Sequence, residues 1–344
     1  MRLETFSSPD MRGDGWIGAI LCHDLVDHQG HPVLLKGRRL EAEDAATLAR
    51  ARLRELHLLW PEPGDVDEDA AALRLAKAVA GPGVSLHAPV ASQVRLSSAQ
   101  RGLVGVNAAA LSQINRIEGI TVFTVPDGMP VERGQTVAGV KITPLVIPEQ
   151  TLAEAERLSL EAAHSARTVM VRGFSPLRVA AVVREAIGDR ALLQFETSLK
   201  QRAAWFGGSV QAIDHALQRR EAREAVLRAV READLVLVAG VASVDPLEDT
   251  WRDLLEVGAS VVRRGLPVHP GSSYWLARLG DVPVVGVASC GMLSRRSALD
   301  LLLTRCFAGE ALDPEFLAGL GHGGLLGPWE GWRIPRYAGT TEAR

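Results

Sequence analysis

The sequence predicts an α/β fold: a parallel-sheet domain in the C-terminal half, preceded by a small α/β unit and a compact β-rich module. Three observations carry this. Residues 235–239, Leu-Val-Leu-Val-Ala, are an unbroken apolar run of strand length that stops at Gly240. From residue 168 onward such runs alternate with stretches of helical apolar spacing, the pattern of a parallel sheet covered on both faces. Between 84 and 147 the segments are instead short, β-branched and broken by Gly and Pro, which suits a barrel or sandwich.

At 344 residues the chain is long enough for two or three domains, each with its own core. It is 47% hydrophobic and 23% charged, an ordinary globular composition that argues against disorder. The net charge of −3 gives no reason to expect a nucleic-acid partner. The three cysteines, Cys22, Cys290 and Cys306, are odd in number and form no CxxC pair; a reducing compartment is expected rather than a disulfide scaffold or zinc cluster. The N-terminal stretch lacks an apolar signal core, and no apolar run reaches the roughly 18 residues of a membrane span. The expectation is a soluble cytoplasmic protein.

The domain reading is 1–83 for the small α/β unit, 84–148 for the β-rich module and 149–167 for a linker helix. The parallel-sheet domain follows at 168–310, with a tail at 311–344 rich in Gly, Pro and Trp. In the first unit, 16–21 reads as a strand, 43–56 as a helix and 57–60 as a strand stopped by Pro61 and Pro63. A helix is expected from about 69 through Val79. Asp65 or Asp67 would cap it, since an acidic first turn suits the positive end of the helix dipole; a ligand-binding carboxylate cluster is the alternative. In the module, strands are expected at 84–87, 90–96, 103–106, 120–125 and 137–142, with a helix at 108–114. A helix at 151–165 leads into the last domain. There the strands are 168–171, 178–183, 209–213, 235–239, 260–262, 266–268 and 283–287. The helices are 197–206, 214–232, 250–257 and 297–307.

Three loops of that domain stand out. The first is Gly240-Val241-Ala242-Ser243-Val244-Asp245, running on to Asp249. The second is His269-Pro270-Gly271-Ser272-Ser273, and the third is Ala288-Ser289-Cys290-Gly291-Met292-Leu293-Ser294. Each follows a predicted strand, so all three should open at one edge of the sheet, where ligands of open α/β sheets bind. Small residues let backbone N–H groups approach a ligand, and hydroxyls add donors. Strand-to-helix turns also use Gly, Ser and Asp for their own geometry, so the case rests on three such loops in one domain. Thr197 or Ser198 is a further candidate, as the cap of a helix whose N-terminus would attract an anion, with Lys200 to assist. Arg295 and Arg296 are plausible anion forks. Cys290 has no neighbouring base to make it a thiolate nucleophile. Cys22-His23-Asp24 is more often a turn than a site. The GxG at 81–83 lacks the preceding strand and third Gly of a dinucleotide fingerprint.

The order of these loops resembles the molybdopterin-binding domain family of molybdenum cofactor synthesis and insertion. Members show a GG-small-S loop with a following acidic residue, then a PG turn, then a G-L-P-G loop before the last helix. Here the first loop reads Ala239-Gly240-Val241-Ala242-Ser243-Val244-Asp245, with Ala239 in place of the first Gly. The PG turn is Pro270-Gly271. The third loop reads Gly286-Val287-Ala288-Ser289-Cys290, with Ala288 and Ser289 where the family has Pro and Gly. Gly64-Asp65-Val66-Asp67-Glu68-Asp69 resembles the GDV-x-ED phrase of a stand-alone subgroup. The resemblance implies a three-layer molybdopterin-binding domain with molybdopterin or the molybdenum cofactor as ligand, and Mg²⁺ and ATP as further ligands. It also implies a client molybdoenzyme and a homo-oligomer. The ligand-binding candidates are Thr197, from the helix start, with Gly240, Ala242, Ser243, Asp245, Pro270, Gly271, Ser272, Ser289 and Cys290. Asp245 and Asp249 are the candidates for catalysis or metal. The altered loops bear on catalysis more than on binding. An adenylyl- or molybdenum-transferase, a non-catalytic carrier or sensor, and an unrelated α/β enzyme using Cys290 all stay open.

Overall fold

The computed structural model describes residues 1–7, 14–50, 55–161, 167–241, 248–294 and 296–337. The chain forms two compact units. The first comprises 1–99, 105–127 and 133–171; the second comprises 100–104, 128–132 and 172–344.

In the first unit Glu55–Trp60 is the middle strand of a three-stranded antiparallel sheet with Arg2–Ser7 and Ile20–Leu21. Leu56 and Leu58 are buried while Glu55 and His57 are exposed, the period of two that a half-buried strand requires. The expected 43–56 helix is shorter, covering a 3-10 turn at Ala42–Asp44 and a helix at Ala45–Arg50. Its last apolar residue, Leu56, belongs to the strand instead. Residues 16–21 are a strand only at Ile20–Leu21. Helix Glu68–Val79 buries Ala71, Ala72, Leu75, Ala76 and Val79 on one face, the 3.6-residue repeat of an amphipathic helix. Asp67 caps it, accepting from the Asp69 and Ala70 amides at 3.0 and 3.3 Å. Asp65 accepts from the Glu62 amide at 2.8 Å. The local capping role of this acidic phrase is therefore the one observed. Arg74 on the same helix forks onto Glu149 and Glu156 of helix Glu149–Glu161. Residues of 84–148 form a four-stranded antiparallel sheet in the order Ile120–Thr124, Thr136–Ile142, Gln93–Ser98, Val84–Leu86. Helix Ala108–Ile114 lies where the periodicity places it, and Asn107 caps it.

The second unit is a six-stranded mixed sheet. In chain order its elements are β1 (Arg178–Val183), α1 (Asp189–Trp205), β2 (Ser209–His215), α2 (Arg219–Glu232), β3 (Leu235–Ala239), α3 (Asp249–Glu256), β4 (Ser260–Arg264), β5 (Trp275–Leu279), β6 (Val282–Val287) and α4 (Ala298–Phe307). The sheet order is β2–β1–β3–β6–β5–β4; the first four strands are parallel, and β5 and β4 each reverse direction. Strand β5 is absent from the sequence expectation. It hairpins onto β6 through Gly280 and Asp281, with Leu279 opposite Val282, and Gly280 has a φ of +60°, a conformation suited to tight hairpins.

Consecutive residues of the central strands go to opposite faces. Val179, Ala181, Leu235, Leu237 and Val285 pack with Phe195 and Leu199 of α1 and Leu302 and Phe307 of α4. Ala180, Val182, Val236, Val238 and Val284 pack with Ala222 and Val226 of α2 and Trp251 and Leu254 of α3. Both faces are thus covered, and this is why β3 reads as an unbroken apolar run. Each fully buried Val or Leu side chain contributes roughly 1.5–3 kcal/mol relative to exposure. The expected three-layer α/β arrangement is present.

Candidate functional site

The three central parallel strands end level. Val183 lies opposite Ala239, and Ala239 opposite Val287. The ladder runs one step further: the Arg184 amide donates to the Ala239 carbonyl at 2.8 Å, and the Gly240 amide donates to the Val287 carbonyl at 2.8 Å. Gly240 has a φ of +86°, and a Cβ there would stand 2.9 Å from the Glu185 backbone nitrogen. Only glycine turns the chain out of the sheet so tightly beside its neighbour.

The first and third loops therefore leave adjacent strands at the same carboxyl edge. Ala242, Ser243 and Asp245 lie outside the described residues. Past them, Glu248 caps α3 by accepting from the Trp251 amide at 3.1 Å and from the Thr250 hydroxyl at 2.9 Å. Asp249, the first residue of α3, is half exposed and faces Arg219 at 3.4 Å. Arg184, which follows β1, donates to the Thr250 hydroxyl and lies 3.5 Å from the Glu248 carboxylate.

The second loop reaches this edge by another route than expected. Residues 266–268 are not a strand. Leu266 and Val268 are buried, but Pro267 between them has no N–H to give to a ladder. The loop instead follows β4, which runs parallel to β6 because two reversals separate them. The Pro270 carbonyl accepts from the Ala298 amide at 2.9 Å, at the start of α4. Gly271 has a φ of +126°, and a Cβ on it would meet the Ala298 Cβ at 2.5 Å. Ser272 is exposed, and its carbonyl accepts from the Leu266 amide at 3.1 Å. In the third loop Ser289 opens one helical turn, Ser289–Met292, and is exposed. The side chain of Cys290 lies outside what the structure describes.

Thr197 does not cap a helix. Helix α1 starts eight residues earlier, at Asp189, because Arg190, Ala191, Leu192, Leu193, Gln194 and Glu196 are all good helix formers. Thr197 instead lines a groove of about 390 Å³ between α1 and the end of the third loop, with Gln194, Gln201, Leu293 and Ser294 around it. Lys200 pairs with Glu196 on its own helix. Arg296 donates to the Gly327 carbonyl, and Arg295 lies outside the described residues.

A buried ion pair forms the groove's rigid side. The Arg202 Nε donates to Asp300 Oδ1 at 2.8 Å; the two side chains are 7% and 0% exposed. The same guanidinium donates to the Ser294 carbonyl at 3.0 Å and to the Ser198 hydroxyl. Asp300 also accepts from the Ser297 amide at 2.9 Å and from the Tyr337 hydroxyl at 3.0 Å. The ion pair thus ties α1, α4 and the tail together, and its guanidinium adds the third loop through Ser294. Burial, with the facing Asp300 carboxylate, pushes the Tyr337 phenol well above its ordinary range. The sequence reading missed Arg202. Its signal was an arginine on the apolar stripe of Phe195, Leu199 and Ala203. Arg184 was also missed, though it stands directly after a strand at the ligand edge.

Among the described residues no group of three His, Cys, Asp or Glu is placed to hold a metal ion, and no helix is long and apolar enough to cross a membrane. No family model matches the chain, and no curated protein matches it. Among solved structures the chain is similar to a molybdopterin biosynthesis MoeA protein from Pyrococcus horikosii, at 13% identity over 72% of this chain and 81% of that one, with a TM-score of 0.30. It is also similar to MogA, at 21% identity over 38% of this chain and 92% of that one, with a TM-score of 0.25. At such identities and scores the likenesses provide no residue-by-residue correspondence.

Proposed function

We propose that the second unit binds a molybdopterin-type pterin at the carboxyl edge of its sheet and serves the synthesis, insertion or delivery of the molybdenum cofactor. The observation that supports this best is the open groove between α1 and the end of the third loop, on the unit whose second loop is hydrogen-bonded to the start of α4. Pro270 is bonded to the start of α4, and Ser294 is bonded to Arg202 of α1. The first loop leaves the same edge through Gly240. Its order with the other two is the one that resembles the molybdopterin-binding family. The donor set fits a polar, anionic heterocycle: hydroxyls, carboxamides and small-residue backbone, with an apolar rim. Gly271, Ser272 and Ser289 would present backbone or hydroxyl donors to it, with Ser243 from the stretch outside the described residues; the Gly240 amide is taken up by the Val287 carbonyl.

A carrier or sensor is favoured over a Mg-ATP-dependent transferase. The Asp249 carboxylate already faces the Arg219 guanidinium, and the third loop has Ala288 and Ser289 where the family has Pro and Gly. Titration calorimetry with molybdopterin and, separately, with Mg-ATP tests both points. Binding of the pterin alone is the expected result. Binding of both would restore the transferase reading and make Asp245 and Asp249 the residues to replace. Absence of pterin binding would refute the assignment.

A further inference from the structure

Helix α1 turns a row of hydrogen-bonding groups onto the groove. Arg190, Gln194, Thr197 and Gln201 all line it and all are exposed. Their spacings of four, three and four residues put them on one face of a helix. None of the four side chains bonds to another described residue. Their neighbours on the same helix are engaged: Lys200 with Glu196, and Arg202 with Asp300 and Ser198. The rim of the groove is apolar on both sides. Leu193 of α1 is 63% exposed and Leu293 of the third loop 42% exposed. At 1.5 Å of rise per residue the row from Arg190 to Gln201 is about 16 Å long. That is room for a fused-ring heterocycle and a short anionic arm laid along the helix.

A glutamine carboxamide offers two N–H donors and a carbonyl acceptor on one planar group. It pairs with the edge of an aminoheterocycle through both, as it does with adenine. An arginine fork is the matching group for a phosphate. We infer that this face of α1 is the specificity surface of the site. Gln194, Thr197 and Gln201 hydrogen-bond the alternating donors and acceptors of a flat aminopyrimidinone ring set against Leu193 and Leu293, and Arg190 holds its phosphate. This rests on the pterin reading and adds to it the residues that select ring and charge.

The test compares wild type with Gln194→Leu/Gln201→Leu, Arg190→Gln and, as a control off the groove, Lys200→Gln. The probes are molybdopterin and the phosphate-free 6-hydroxymethylpterin, followed by titration calorimetry. All the positions are exposed, and unchanged thermal melts verify the fold. The double leucine variant should weaken both probes by roughly ten- to a hundredfold, two hydrogen bonds having been lost. Arg190→Gln should weaken molybdopterin roughly tenfold or more and leave 6-hydroxymethylpterin unaffected. Lys200→Gln should bind as wild type. If wild type binds and the leucine variant binds equally well, the inference is overturned while the pterin reading stands. If Arg190→Gln weakens both probes alike, the phosphate assignment is overturned. If wild type binds neither probe, the pterin reading falls and this inference with it.

Discussion

Replacing Arg202 with Met takes away one member of a buried ion pair and leaves the other in place. Asp300 is fully buried and, among the described residues, keeps the Ser297 amide and the Tyr337 hydroxyl as donors. A carboxylate stripped of its cation in such a setting costs about 3–5 kcal/mol. At about 2–4 °C per kcal/mol for a domain of this size, the melting temperature should fall by about 6–20 °C. Asp300→Asn alone should cost a similar amount, because it strands the guanidinium and turns an amide donor toward the Ser297 N–H. The double variant Arg202→Met/Asp300→Asn buries no charge, and its loss should be smaller than the sum of the two single losses. Urea unfolding followed by far-UV circular dichroism measures all four proteins and gives the coupling energy directly. A single-variant loss below about 1 kcal/mol, the range of an exposed pair, would refute the claim that this pair is desolvated. Simple additivity would refute the claim that the two side chains act on each other.

Two further outcomes follow from the same unit. Gly271→Ala forces a Cβ against Ala298 at a backbone angle that L-residues avoid; on the order of 2–4 kcal/mol should be lost, and pterin affinity should drop with the displaced loop, both readable in one set of melts and titrations. Arg178 hydrogen-bonds the Asp234 side chain and holds its carboxyl below the ordinary carboxylate range, so this pair stabilises the fold above the unfolded carboxyl value near pH 4 and loses that contribution as pH falls through the lower, folded value. The stability gap between wild type and Asp234→Asn should accordingly be constant from pH 5 to 7 and shrink below about pH 4; a gap that widened on acidification would contradict the sign.

The central sheet was legible because burial on both faces leaves no polar alternation, and runs such as 178–183 and 235–239 have few other readings. Helix 108–114 was legible for the opposite reason, since its cap, Asn107, stands directly before an alanine-rich turn. The loops at the edge followed from the strands that feed them. Strand β5 was not legible: Trp275, Leu276 and Ala277 are all buried, a run too short to tell from helix. The Gly280-Asp281 pair was the turn signal that went unread. Helix α1 was read from its middle because Thr197 and Ser198 look like caps, while the true start follows Gly188, which gives no side-chain cap. The groove was out of reach altogether. Arg202 of the helix that carries Thr197 reaches the Ser294 carbonyl, and no local pattern encodes a contact across about ninety residues.

Direction along the sheet behaves like a parity. A strand that reverses is odd, and a second reversal makes the next one even again. Strands β5 and β4 are such a pair, so β4 and β6 present their loops at one edge with no crossover helix between them. A parallel unit would have needed a dozen or more connecting residues to bring a loop to the same rim. Here the return is made by strand β5 and a two-residue hairpin instead of a helix. A sheet of this kind can widen its working rim by adding strands two at a time, and Pro270-Gly271 sits on the strip gained in that way.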